Sequence, residues 1–260
     1  MKLAFSNIGW EAADDERVYS ALAAHGFTGL EIAPTRLVGD MPYDNIPKAR
    51  DCAEAAARDY GLEICSMQSI WYGKSECICG SDSERSSLCN YTKRAVDFAK
   101  ALACRNLVFG CPKNRSIPNG TSEGVALSFF KDICTYAAAN GCVIGIEANP
   151  PIYNTNFLNT TDEAARFVKS VGEGAGINLD FGTILCNGES LIAACNNVHL
   201  ISHVHISEPN LAAIEKRSEH RELASMLRES GYDRFVSVEM RCRPFDDVVA
   251  TMDYISEVFA

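Results

Sequence analysis

The sequence predicts a (β/α)8 barrel, and three observations carry that expectation. Eight strand-like runs alternate with eight helix-like stretches across 260 residues, the arithmetic of one eight-fold α/β barrel (TIM barrel). No Pro/Ser-rich linker or shift in composition divides the chain, so residues 1–260 read as one domain. Four acidic or imidazole side chains, Glu147, Asp180, His205 and Glu239, end four successive strand-like runs in the second half. The competing architecture is an open, doubly wound sheet. It would carry a Gly-rich phosphate loop after the first strand, and SNIGWEAADD is not one.

Strands are expected at 2–6, 28–32, 62–67, 105–109, 142–147, 176–180, 200–206 and 234–239, as short apolar or alternating runs. Helices are expected at 14–25, 43–60, 83–102, 121–139, 161–171, 188–197, 216–230 and 244–258. In DERVYSALAAHG, Val18, Leu22 and Ala23 recur at helical spacing and Gly26 supplies a stop. SFFKDICTYAAANGC repeats the scheme and ends in Asn140-Gly141; RSEHRELASMLRESGYD ends it at Gly231.

A domain of this length buries roughly 75% of its unfolded surface and needs no covalent staples. The formal net charge of −10 argues against nucleic acid as a partner, since phosphate binding needs a basic face. The N-terminal segment lacks the apolar run of a secretion signal, and no stretch reaches the roughly 18 apolar residues of a membrane span. Of the twelve cysteines, Cys65, Cys104, Cys134, Cys142 and Cys195 sit inside apolar runs, where Cys acts as a small hydrophobe. Reduced thiols in the cytoplasm are therefore expected. Cys77, Cys79 and Cys89 lack the paired spacing of zinc or iron–sulfur sites.

Strand alternation sharpens the pattern at residues 147, 180, 205 and 239. In VIGIE, Ile144 and Ile146 face the helices while Glu147 points inward; Asp180 is inward with Asn178. Val204 and Ile206 leave His203 and His205 inward, and Val236 and Val238 leave Ser237 and Glu239 inward. All four candidates thus fall at the C-terminal end of a barrel, where loops carry the chemistry. Three buried carboxylates repel one another and lose hydration, so they call for a cation. Oxygen ligands with one imidazole suit one divalent ion: Mn²⁺, Mg²⁺, Co²⁺ or Zn²⁺.

The order Glu147, Asp180, His205, Glu239 on strands five to eight resembles the xylose isomerase-like barrel family, which includes sugar isomerases and ketose 3-epimerases. The segment HVHISEPN is similar to the strand-seven segment of the ketose 3-epimerases. The resemblance covers essentially the whole chain. It implies that these four residues bind one metal and that Glu147 and Glu239 are the catalytic acid–base pair. Two positions depart from the epimerase pattern. Leu211 stands where that pattern has a substrate-binding Arg, and Thr183 where it has a substrate-binding His.

Further candidates for substrate contact are Glu31 at the end of strand two, Gln68 at the end of strand three, Lys113 and Arg115 after strand four, Glu208, and Arg241. Lys113 and Arg115 could hold a phosphate or carboxylate, or belong to a solvated loop. Glu208 could orient His205 or the substrate, or face solvent. Arg241 and Arg243 could reach an anionic substrate or form rim ion pairs. His220 could fold over the site, and Trp10, Trp71 and Tyr72 could form a sugar-facing wall or pack in the core.

The expected function is metal-dependent isomerisation or epimerisation of a small-molecule sugar or sugar phosphate. It would proceed by proton transfer between the two glutamates through a metal-stabilised enediolate. A metal-dependent ketose or inosose dehydratase and a non-catalytic sugar-binding or biosynthetic accessory barrel are the alternatives. The endonuclease IV branch, with three zinc ions, needs more imidazoles than the five histidines here. Barrels of this size often pair through one side, so a homo-oligomer is among the expected partners.

Overall fold

A computed structural model describes residues 1–260. Its eight parallel strands pair in chain order, and the last returns to the first to close the barrel. They are β1 (Lys2–Ser6), β2 (Gly29–Ile32), β3 (Glu63–Met67), β4 (Asn106–Phe109), β5 (Val143–Glu147), β6 (Ala175–Asp180), β7 (Ile201–Ile206) and β8 (Phe235–Val238). Around them run α1 (Asp15–Ala24), α2 (Pro34–Val38), α3 (Ile46–Tyr60), α4 (Asp82–Ala101), α5 (Glu123–Ala139), α6 (Thr161–Val171), α7 (Phe181–Asn187), α8 (Leu191–Cys195), α9 (Ser218–Glu229) and α10 (Phe245–Phe259). No helix is long and apolar enough to cross a membrane.

Every strand expected from the sequence is present, with ends moved by a residue or so. The outward residues Ile144, Ile146, Val204, Ile206, Val236 and Val238 are fully buried between sheet and helices. Each such side chain contributes roughly 1.5–3 kcal/mol by leaving water. An edge-to-face chain of rings, Trp71–Phe109 at 4.7 Å, Phe109–Phe130 at 4.7 Å and Phe130–Phe167 at 5.1 Å, packs β4 against α5 and α6. Capping boxes start two helices: Ser81 with Glu84 on α4, and Thr160 with Glu163 on α6.

Two helices were not expected. Pro34, with its φ already set for a helix, opens the short α2 after β2. Helix α7 follows β6 without a loop because the Asp180 carboxylate accepts from Thr183 N at 2.5 Å and caps it. The helix expected over 188–197 contracts to α8, since Gly188 takes a left-handed conformation that ends α7.

The register sets the functional end at one level. Glu147 pairs with Asn178, Asp180 with His205, and Ile206 with Val238. Glu239 follows β8 and donates its backbone N–H to Ile206 O at 2.9 Å, one step further along the same ladder. The acidic and imidazole side chains of β5 to β8 therefore emerge side by side at the C-terminal mouth.

Candidate metal centre

Ligand-capable atoms of Glu147, Asp180, His205 and Glu239 all lie within 4.8 Å of one another. His205 Nδ1 sits 3.1 Å from Glu147 Oε1 and 3.3 Å from Glu239 Oε2. Asn178, inward on β6, donates to Glu147 Oε1 at 2.6 Å, and Asn149 donates to Glu147 Oε2 at 3.0 Å. Ser207 donates to Asp180 Oδ2 at 2.6 Å, and Gln68 donates to Glu239 Oε1 at 3.0 Å. Each carboxylate thus has a neutral donor that orients it. Gly110 makes room: a Cβ there would stand 2.7 Å from Glu147 Oε2.

The charges in this cluster do not balance by themselves. Burial pushes Glu239 up to about 7 against the pull of His205. Burial, and then the Glu147 charge, push Asp180 up to about 6. Burial opposes charge on Glu147 too, but its contacts with His205 and Asn149 outweigh that and bring it below the usual carboxylate range. Burial likewise opposes charge on His205, yet Glu31 and Glu239 raise it well above the usual imidazole range. Three carboxylates and one imidazole nitrogen converging where ionisation is resisted form a donor set that fits one divalent cation.

Glu147, Asp180 and Glu239 line a cavity of about 210 Å³, and His205, fully buried behind them, does not. Gln68, Ser69, Asn149, Tyr153, Thr183, Ser207 and Glu208 add polar groups, and Val108, Cys111, Pro112 and Leu211 complete the wall. Ser69, Cys111 and Leu211 all hold left-handed backbone conformations that side-chain-bearing residues rarely adopt. The Leu211 turn is pinned on three sides. Leu211 N–H donates to Glu208 O at 2.9 Å, Arg241 N–H to Leu211 O at 3.0 Å, and Asn210 N–H to the Tyr153 hydroxyl at 2.9 Å.

Among the residues expected to contact substrate, Gln68 and Glu208 reach the cavity. Both Glu208 oxygens accept from Arg217, at 2.7 Å each, which fixes the carboxylate from behind. Glu31 does not reach it: its carboxylate is fully buried, with His203 Nε2 at 2.8 Å and His205 Nε2 at 3.0 Å. Arg115 is also enclosed, donating to Glu147 O at 2.7 Å and Leu158 O at 3.1 Å. It buttresses the end of β5 and is turned away from any anion in the cavity. Lys113 and Arg241 are exposed and line no part of it.

The aromatic and imidazole candidates divide similarly. Trp10 and Trp71 are core residues whose indole N–H groups donate to Asp15 and Thr92, each at 2.8 Å. Tyr72 is exposed. His220 is buried on α9 against Phe181 and Tyr254, where it packs and does not cover the site. Sequence reasoning missed Asn149, Tyr153 and Ser207. Ser207, two residues past His205, continues the inward alternation of β7 and was legible on that ground; the loop residues Asn149 and Tyr153 carry no such signal.

A closed parallel barrel with an acidic–imidazole cluster at its C-terminal mouth defines the class: an α/β barrel with a candidate metal centre. The family model described as xylose isomerase-like TIM barrel matches residues 19–258, and the chain belongs to that family. No curated protein matches the sequence. Among solved structures, 3-keto-D-glucoside 4-epimerase from E. coli is similar at 20% identity and TM-score 0.77, covering 99% of this chain and 98% of that one. D-psicose 3-epimerase from Clostridium cellulolyticum H10, solved with D-tagatose, is similar at 18% identity and TM-score 0.74, covering 99% and 91%. An AP endonuclease, family 2, from Brucella melitensis is similar at 18% identity and TM-score 0.74, covering 100% of both chains. At these identities the likeness shows the fold.

Proposed function

We propose that this protein is a divalent-metal-dependent isomerase or epimerase of an uncharged sugar. Glu147, Asp180, His205 and Glu239 are its metal ligands, and Glu147 and Glu239 its proton-transfer pair. The observation that carries this reading is the convergence of those four groups within 4.8 Å, with the three carboxylates lining a polar cavity. A bound cation there would offset the carboxylate charge and polarise a sugar carbonyl and its neighbouring hydroxyl, acidifying the carbon between them. Glu147 and Glu239 approach from β5 and from the end of β8, so one can take a proton from that carbon and the other return one. Return on the opposite face inverts the centre. Gln68, Asn149, Tyr153 and Thr183 offer neutral hydrogen-bonding groups suited to sugar hydroxyls.

The uncharged substrate follows from the cavity wall. No Lys, Arg or His lines it. Arg115 is committed to main-chain carbonyls and Arg217 to Glu208. A phosphate placed among these carboxylates would find repulsion and no cationic side chain to offset it. The sugar epimerases among the similar structures agree with a sugar substrate. A reducing, cytoplasmic setting suits the twelve unpaired cysteines.

Reloading with Mn²⁺, Co²⁺, Zn²⁺ or Mg²⁺, followed by elemental analysis and a screen of free and phosphorylated sugars, tests the proposal. One ion per chain, an isomeric product from a free sugar, and loss of turnover in Glu239→Gln are the expected results. A product lighter by one water would move the reading to a dehydratase. Near three zinc ions would move it to nucleic-acid cleavage, and no bound ion would overturn it.

A further inference from the structure

His205 presents two ring nitrogens to two different environments. Nδ1 faces Glu147 and Glu239, within the proposed ligand set. Nε2 faces away from the cavity, 3.0 Å from Glu31 Oε2. An ionised carboxylate only accepts, so each ring nitrogen facing one carries a proton: Nε2 towards Glu31 and, with no cation bound, Nδ1 towards Glu147 and Glu239 as well. A cation held by Glu147 and Glu239 would take the place of the Nδ1 proton, while Glu31 keeps the proton on Nε2, leaving Nδ1 the lone pair that a metal requires. Glu31 comes from β2, three strands away round the closed barrel from β7. Its carboxylate is fully buried, and the same Oε2 lies 2.8 Å from His203 Nε2. His203 and His205 stand nearly edge to face, their ring centroids 5.3 Å apart.

We propose that Glu31 is a positioning residue that fixes His205 in the orientation and tautomer that present Nδ1 to the metal. It touches neither metal nor substrate, and it sets the affinity of the site through His205. The role rests on the metal-centre reading above. It gives a function to a charge whose burial the barrel would otherwise not require, since an apolar residue of similar volume would satisfy packing alone. His203 holds the carboxylate from the other side and limits its freedom.

The test is Co²⁺ binding to metal-free wild type and Glu31→Gln, followed by calorimetry and by the visible absorption of the ion, with the melting temperature of each metal-free protein alongside. Glu31→Gln is expected to keep the fold and weaken Co²⁺ binding about tenfold to hundredfold. Unchanged affinity in a folded Glu31→Gln protein would overturn the positioning role and leave the metal centre standing. Absence of Co²⁺ binding in wild type would overturn both. A measurement on Zn²⁺-loaded wild type covers the case in which the variant does not fold. In that Zn²⁺-loaded protein, histidine ring ¹H–¹⁵N correlations, assigned with His203→Gln, should show the proton of His205 on Nε2; a proton on Nδ1 there would overturn the proposal.

Discussion

Gln68 Nε2 and Glu239 Oε1 lie 3.0 Å apart, a hydrogen bond from the end of β3 to the end of β8 across the barrel mouth. The same amide nitrogen donates to Ser6 Oγ at 3.1 Å, so the carboxylate that closes the proposed ligand set is steered by two early strands.

That bond makes Gln68 a sensitive position. Gln68→Leu removes a donor from a carboxylate that burial already pushes towards its neutral form. The expected result is a tenfold to hundredfold fall in kcat/KM, by analogy with lost partners of metal ligands. The accompanying loss of stability should be about 1 kcal/mol. Steady-state kinetics on the sugar identified by the screen, with denaturant unfolding in parallel, separates the two effects.

Arg115 should behave differently. Its guanidinium is fully buried and satisfies the carbonyls of Glu147 and Leu158. Burial lowers its pKa only to about 10, so it stays charged at neutral pH. Arg115→Met takes a donor from Glu147 O and leaves Leu158 O with the Asn149 N–H alone, a loss of about 1–3 kcal/mol. A fall of roughly 2–6 °C in melting temperature is expected from that range. Scanning calorimetry of the metal-free protein checks it, and a variant as stable as wild type would contradict the buttress.

A third expectation concerns acid stability. Burial pushes His220 down from 6.5 to about 4. Between those values the unfolded chain binds a proton that the folded chain does not, so folding stability falls as pH falls through that window. The full contribution is on the order of 3 kcal/mol. His220→Phe, which keeps an aromatic ring against Phe181 and Tyr254, should narrow its gap to wild type steadily from pH 6.5 to pH 4. Urea unfolding of both proteins across that range measures the change; parallel pH profiles would contradict it.

The barrel and its four convergent side chains were legible because strand alternation leaves a simple record. An outward Ile, Val or Leu flanks each inward polar residue, and the strand end marks the mouth. What escaped has a physical reason in each case. Glu31 ends its strand as a cavity residue would, but the irregular β2–β3 register between Leu30 and Glu31 accompanies its burial beneath the mouth, against two histidines. Arg115 looked like an anion contact because its main-chain partners leave no mark in sequence. Helix α7 was hidden because Asp180 serves at once as a strand end and a helix cap, and Asp-Phe-Gly-Thr was the available sign.

Ring closure brings in the last member of the proposed ligand set. β8 joins β1 through Leu3–Val236 and Phe5–Val238, and Glu239 follows directly. A nascent chain therefore holds at most three of the four groups until that final strand docks. Closure of the barrel and completion of the proposed ion-binding set are one event, so a bound cation would report a closed barrel and withhold chemistry from any open one.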